Sequence, residues 1–124
     1  MKSNPNPALT LADHRLLDLV WQGEPVPSPE LCRRAEKALG WKRTTTYTVI
    51  KRLCDKGYLK NENAVVTALV DRETVQEADG QEVLQRSFGG SLPQFFAAFL
   101  RSGSVSERDA EEIEALIEAY RAGR

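Results

Sequence analysis

The stretch from Lys37 to Lys56 holds six basic residues and one acid, Asp55, with threonines at 44, 45, 46 and 48 among them. At the helical repeat of about 100° per residue, Thr44, Thr48, Lys51 and Asp55 fall on one face, flanked by Thr45, Tyr47 and Arg52. Thr46, Val49, Ile50 and Leu53 form the opposite, apolar stripe. A threonine hydroxyl can bond a base edge, and its methyl can touch the thymine methyl. Thr44, Thr45 and Thr48 are therefore candidate base contacts. Lys42, Arg43, Tyr47 and Lys51 are candidate phosphate contacts that set register on a duplex. The blander reading is that the threonines fill a moderately polar helix face and the cations are simply solvated. Arg52 has two readings, a phosphate contact or a structural ion pair. Phosphate would repel Asp55, so it should lie beyond the groove or pair with a nearby cation.

Such a helix must be held by others. Thr10-Leu11-Ala12-Asp13 is a near capping box, and Ala12, Leu16, Leu17, Val20 and Trp21 recur at helical spacing, so a first helix is predicted over 11–22, ended by Gly23. Pro25-Val26-Pro27 reads as an extended connector. Ser28 as N-cap and Pro29 in the first turn open a second helix over 29–39, with Leu31, Cys32, Ala35, Ala38 and Leu39 inward. Gly40 stops it, and the basic helix over 42–56 follows after a short turn. Two helices joined this way, the second one basic, make a helix-turn-helix pattern. Tyr58–Asn61, a polar tip at Glu62-Asn63 and Ala64–Val70 read as a hairpin, the wing, in which Lys60 is a further candidate phosphate contact.

The remainder reads as helical. One helix is predicted over 74–88, capped by Thr74 or Asp71, with Val75, Ala78, Val83, Leu84 and Phe88 apolar. After the Gly89-Gly90 break, an aromatic helix runs from Leu92 to Leu100. Ser106 caps a last helix with Ile113, Leu116, Ile117 and Tyr120 in its stripe. Leu92, Phe95, Phe96, Phe99, Ile113, Leu116, Ile117 and Tyr120 are more apolar surface than so few helices bury alone, so a second copy of the chain is expected to cover them. The alternative is packing on the helix over 74–88 only. A dimer would read two half-sites about 34 Å apart. The expected fold class is thus mainly α: a winged helix-turn-helix DNA-binding domain over 8–71 and a helical dimerisation region over 72–124.

Charge and composition agree with this division. Residues 1–70 carry 11 Lys and Arg against 7 Asp and Glu, and residues 71–124 carry 6 against 11. A local positive surface suffices to grip phosphate, and the acidic half would be kept from DNA by repulsion. No apolar run approaches the ~20 residues of a membrane helix, and Met1–Pro7 reads as a short frayed tail without the apolar core of a signal peptide. No membrane insertion is expected, and the cytoplasm is the expected compartment. Cys32 and Cys54 could form a disulfide by count, but a reducing compartment favours two buried free thiols. With no CxxC and a single histidine, His14, neither a metal site nor a cofactor is expected. Glu111 and Glu112 are adjacent and point apart, Gly89-Gly90 is a plain hinge rather than a phosphate loop, and an enzyme is not expected. The alternative to a DNA-binding repressor is a winged-helix module that binds proteins, because fold does not fix function.

Trp41-x-x-x-Thr45, then Lys51-Arg52-Leu53-x-x-Lys56-Gly57-x-Leu59, with Thr10-x-x-Asp13 and Trp21 in the first helix, resembles the signature of the penicillinase-repressor family, which includes β-lactam-responsive and copper-operon repressors. The resemblance in layout runs from about 9 to 121. It implies a homodimer on a palindromic operator, with an N-terminal winged helix and a C-terminal dimerisation region. In the β-lactam branch it implies relief by cleavage after a membrane sensor's signal, through a sensor-linked protease, at a bond that falls at Ala98-Phe99. Ala98 stands where that branch usually has asparagine. The ending Tyr120–Arg124 lacks the cysteines of the copper branch, which argues against direct copper sensing. Lys42-Arg43 replaces a usual serine-proline, and Val65-Val66 a usual glycine-arginine in the wing.

Overall fold

The apolar stripes of the first three helices and the hairpin meet in one core. In the computed structural model, which describes residues 9–123, α1 spans Leu11–Gly23, β1 Val26–Pro27, α2 Ser28–Leu39, α3 Arg43–Asp55, β2 Leu59–Glu62 and β3 Val65–Ala68. Then come α4 (Arg72–Phe88), α5 (Leu92–Ser102) and α6 (Glu107–Ala122). The tail expected over Met1–Pro7 lies outside the described residues. The chain divides into two units, the first ending at Ala78 and the second beginning at Asp79, so the boundary falls inside α4.

In the first unit, Leu16, Leu17 and Val20 of α1, Leu31 and Ala35 of α2, and Val49, Ile50 and Leu53 of α3 are buried, together with Tyr58, Leu59 and Val66 of the hairpin region. All four residues of the predicted α3 stripe are buried, Thr46 included; its hydroxyl donates to the Lys42 carbonyl at 3.3 Å, which satisfies it in the core. The sheet order is β1-β3-β2, antiparallel throughout. Pro25-Val26-Pro27 was expected only as a connector, yet Val26 pairs with Val66 and Pro27 with Val65. Val65 and Val66 thus serve the sheet, and Val66 is fully buried. Order and connectivity are those of a winged helix-turn-helix domain.

Ser28 corrects the expectation of an N-cap. It is the first residue of α2 and buried, Pro27 occupies the cap position, and no side chain caps the helix. The cause is the β1 pairing, which carries the Ser28 N–H to the Ala64 carbonyl (2.8 Å) and turns the hydroxyl inward, 3.4 Å from the Tyr47 hydroxyl. Cys54 is another correction. It is a free thiol, as is Cys32, but only Cys32 is buried; Cys54 is half-buried, and burial together with the neighbouring Asp55 carboxylate pushes its thiol pKa up.

The wing turns at Asn63-Ala64, between the paired residues Glu62 and Val65, and both turn residues have positive φ, 54° and 63°. This two-residue geometry matches the twist of the strands and favours Asn-Gly, because a Cβ in the left-handed region is strained. Ala64→Gly is expected to raise stability by about 0.5–1 kcal/mol, seen as a higher urea midpoint with unchanged slope. A lower midpoint would mean that the alanine methyl is not strained.

Trp21 ties the end of the wing to α1. Its ring N–H donates to the Val70 carbonyl at 3.0 Å, and the Arg72 guanidinium lies 5.3 Å from its ring centre while pairing with Asp18 at 3.4 Å. Asp71, one of the two expected caps of α4, accepts from the Thr74 N–H at 2.8 Å.

The second unit is held differently. Ser91 caps α5, and Ser106 with Asp109 forms a full capping box on α6. Phe95 contacts Phe88, Phe96 and Phe99 edge-on, with ring centres 4.9–5.5 Å apart. None of the described residues of α5 or α6 is buried. No helix among the described residues is long and apolar enough to cross a membrane.

Candidate nucleic-acid interface

Helix α3 is anchored to α1 by one buried carboxylate. Asp13 is fully buried and completes the Thr10 capping box: the Thr10 N–H donates to Oδ2 and the Asp13 N–H to Thr10 Oγ1, both at 3.0 Å. Arg52 grips Oδ1 through Nε and Nη2 at 3.0 and 2.7 Å, and Lys56 Nζ meets Oδ2 at 3.0 Å. Burial alone would raise the carboxyl pKa. The Thr10 backbone bond and the two cations outweigh it and hold the group below the ordinary aspartate value. Between the two readings of Arg52, the structure selects the ion pair. Sequence reasoning saw Asp13 only as a cap; nothing local in the chain announces partners 39 and 43 residues away.

With its inward face and C-terminal turn fixed, α3 turns its other face outward. Lys42, Arg43, Thr44, Thr45, Thr48, Lys51 and Asp55 are exposed, and Tyr47 is half-buried with the Arg43 guanidinium 5.7 Å from its ring centre. The Thr48 hydroxyl donates to the Thr44 carbonyl at 2.9 Å, which leaves its oxygen lone pairs and methyl as the groups to present. No side chain caps the first turn of α3, so the positive end of its dipole carries no side-chain acceptor. Lys51 Nζ pairs with Asp55 Oδ2 at 3.2 Å. The cation count from sequence therefore overstates the outward charge, since Arg52 and Lys56 are committed to Asp13, and Lys51 shares Asp55.

The wing adds little charge. Lys60 is exposed and faces Glu62 at 3.4 Å. Between α3 and β2 lies an open cleft of about 450 Å³ lined by Tyr47, Ile50, Lys51, Cys54 and Asn61. Asn61, which sequence reasoning did not single out, joins Tyr47 and Lys51 on this surface; only the pairing of β2 with β3 puts it there.

The candidate interface residues of the second unit separate by exposure. Phe95, Phe96 and Ile113 are half-buried within the unit, whereas Leu92, Phe99, Leu116, Ile117 and Tyr120 are exposed, as is Leu100. An indentation of about 320 Å³ between α5 and α6 is lined by Phe96, Phe99, Ile113 and Leu116 among others. Ala98 is half-buried and Phe99 exposed, both inside α5.

The model of the family described as penicillinase repressor matches residues 9–119. The chain belongs to the penicillinase-repressor family. It is a DNA-binding transcriptional repressor. An uncharacterised 16.5 kDa protein in the ptsI 3′ region of Latilactobacillus sakei is 27% identical over 123 residues, spanning 96% of this chain and 84% of that protein. Among solved structures, the chain is similar to the Bacillus licheniformis BlaI monomeric form, solved in solution in complex with the blaP half-operator. The identity is 24% and the TM-score 0.48, over 54% of this chain and 87% of that chain.

Proposed function

We propose that this repressor acts in the cytoplasm as a homodimer on a palindromic operator, each copy laying α3 in the major groove. The observation that carries the reading is the outward face of α3, where Thr44, Thr45 and Thr48 stand exposed beside Lys42, Arg43 and Lys51. The threonines meet base edges; Lys42, Arg43, Tyr47, Lys51 and, from the wing, Lys60 meet phosphates. Residues 72–124 supply the dimerisation region, through Leu92, Phe95, Phe96, Phe99, Ile113, Leu116, Ile117 and Tyr120. Where repression is relieved by a sensor-linked protease, the bond at Ala98-Phe99 must first leave the helical ladder of α5, because a protease binds extended backbone.

The test is titration of duplexes selected by the protein from a randomised pool, at several salt concentrations. Thr45→Ala is expected to weaken the selected duplex by about 1–3 kcal/mol and relax one base preference. Lys51→Ala is expected to weaken all duplexes alike and flatten the salt slope by about 1. Unchanged preference in Thr45→Ala would remove that residue from the base-reading set. Binding indifferent to salt in the wild-type protein would instead support a protein-interaction module.

A further inference from the structure

Resting on that reading, we propose that Thr48 is a specificity-determining residue whose hydroxyl recognises an exocyclic amino group, N6 of adenine or N4 of cytosine, in the major groove.

The direction of one hydrogen bond carries the argument. The Thr44 carbonyl can only accept, so in its 2.9 Å contact with Thr48 the hydroxyl is the donor. A hydroxyl has one hydrogen, and this bond uses it; what remains to offer is lone pairs. Thr48 is exposed in the second turn of α3, on the same face as Thr44 and Lys51. Thr44 and Thr45 differ. They stand in the first turn, and the residues four positions back, Gly40 and Trp41, precede the helix, so this internal bond is not built into the helix for them. Thr44 and Thr45 can therefore donate or accept, whereas Thr48 meets DNA as an acceptor.

An acceptor has few partners on a duplex. Phosphate oxygens, purine N7, guanine O6 and thymine O4 all accept, and would face the Thr48 oxygen lone pair to lone pair. The donors that bases show in the major groove are the amino groups of adenine and cytosine. Turning the hydroxyl round to donate to guanine O6 or thymine O4 would give up the bond to Thr44, and a groove closed by α3 has no water to replace it, so the exchange gains nothing. A bond from an amino group is added to the internal one instead. It is also strengthened by it, because a hydroxyl that donates is polarised into a better acceptor.

The experiment pairs Thr48→Val, which keeps the shape and a methyl and removes only the hydroxyl, with duplexes altered by single atoms. Wild type and Thr48→Val each select duplexes from a randomised pool, and the base pair whose preference relaxes in the variant is the one Thr48 reads. In one half-site of the duplex selected by wild type, the amino group of that pair is deleted by placing purine for adenine or 2-pyrimidinone for cytosine. Wild type is expected to bind this duplex about 5-fold more weakly, the worth of one neutral hydrogen bond, and Thr48→Val less than twofold more weakly. Thr48→Ser, which retains the hydroxyl, should keep the wild-type sensitivity. Deleting the purine N7 of the same pair with a 7-deaza base should cost wild type and Thr48→Val equally. A Thr48→Val protein that relaxes no base pair overturns the proposal. So does equal sensitivity of wild type and Thr48→Val to the amino deletion, or an N7 deletion that costs wild type alone, since the hydroxyl would then be donating. In each of these cases wild-type binding that is salt-dependent and sequence-selective leaves the DNA-binding reading standing. Wild-type protein that selects no duplex defeats that reading and the role of Thr48 together.

Discussion

Asp13→Ala is expected to lower the stability of the chain by about 3 kcal/mol, a large share of what a small domain possesses. Removing one partner of a buried ion pair costs about 3–5 kcal/mol when the other charge is left stranded. Here Arg52 and Lys56 retain 38% and 20% side-chain exposure and regain water in part, which puts the electrostatic loss below that range. Losing the acceptor of the Thr10 N–H, and with it half of the capping box, adds about 1 kcal/mol. Asp13→Asn preserves the shape and one acceptor and should lose less. Urea unfolding measures both, and a change under about 0.5 kcal/mol in Asp13→Ala would show that the carboxylate does not hold α1 to α3.

The same group sets an acid limit. The folded-state pKa of Asp13 is depressed, so its contribution is fully present above the unfolded value of about 3.9 and is lost as pH falls through the lower folded value. Wild-type stability should therefore fall across that acidic window more steeply than that of Asp13→Asn, and the two curves should converge at its lower end. Parallel curves would contradict the assignment.

For the homodimer and operator proposed above, Leu116→Glu is expected to abolish dimerisation at micromolar concentration and weaken operator binding at least 100-fold, while leaving the first unit folded. Leu116 is 70% exposed, and Leu92, Phe99, Leu100, Ile117 and Tyr120 are also exposed in a unit whose α5 and α6 bury no described residue. Fully burying one such aliphatic or aromatic side chain is worth about 1.5–3 kcal/mol. Replacing one by a carboxylate both forfeits that gain and adds a desolvation cost, more than the 2.8 kcal/mol that makes 100-fold. Phe96→Glu is a less clean test, because Phe96 is half-buried against Phe95 and the change would also damage the monomer. Sedimentation of Leu116→Glu as a dimer would remove this face from the interface.

The sequence by itself determined the order of the helices and the hairpin, the inward stripe of α3 and the caps at Thr10 and Ser106, because helix periodicity and capping act between residues three or four positions apart. It also exposed the cations and threonines that share one stretch of chain. Tertiary structure alone decided which of those cations remain available. Arg52 and Lys56 turn inward to a carboxylate some forty residues away, and that pairing exists only once α1 packs on α3. Packing likewise made a strand of Val26-Pro27, drew Ser28 off its cap, left Cys54 half-open to the cleft and set Asn61 beside Tyr47 and Lys51. Contacts between residues distant along the chain depend on the shape of the whole core, and no local pattern encodes them.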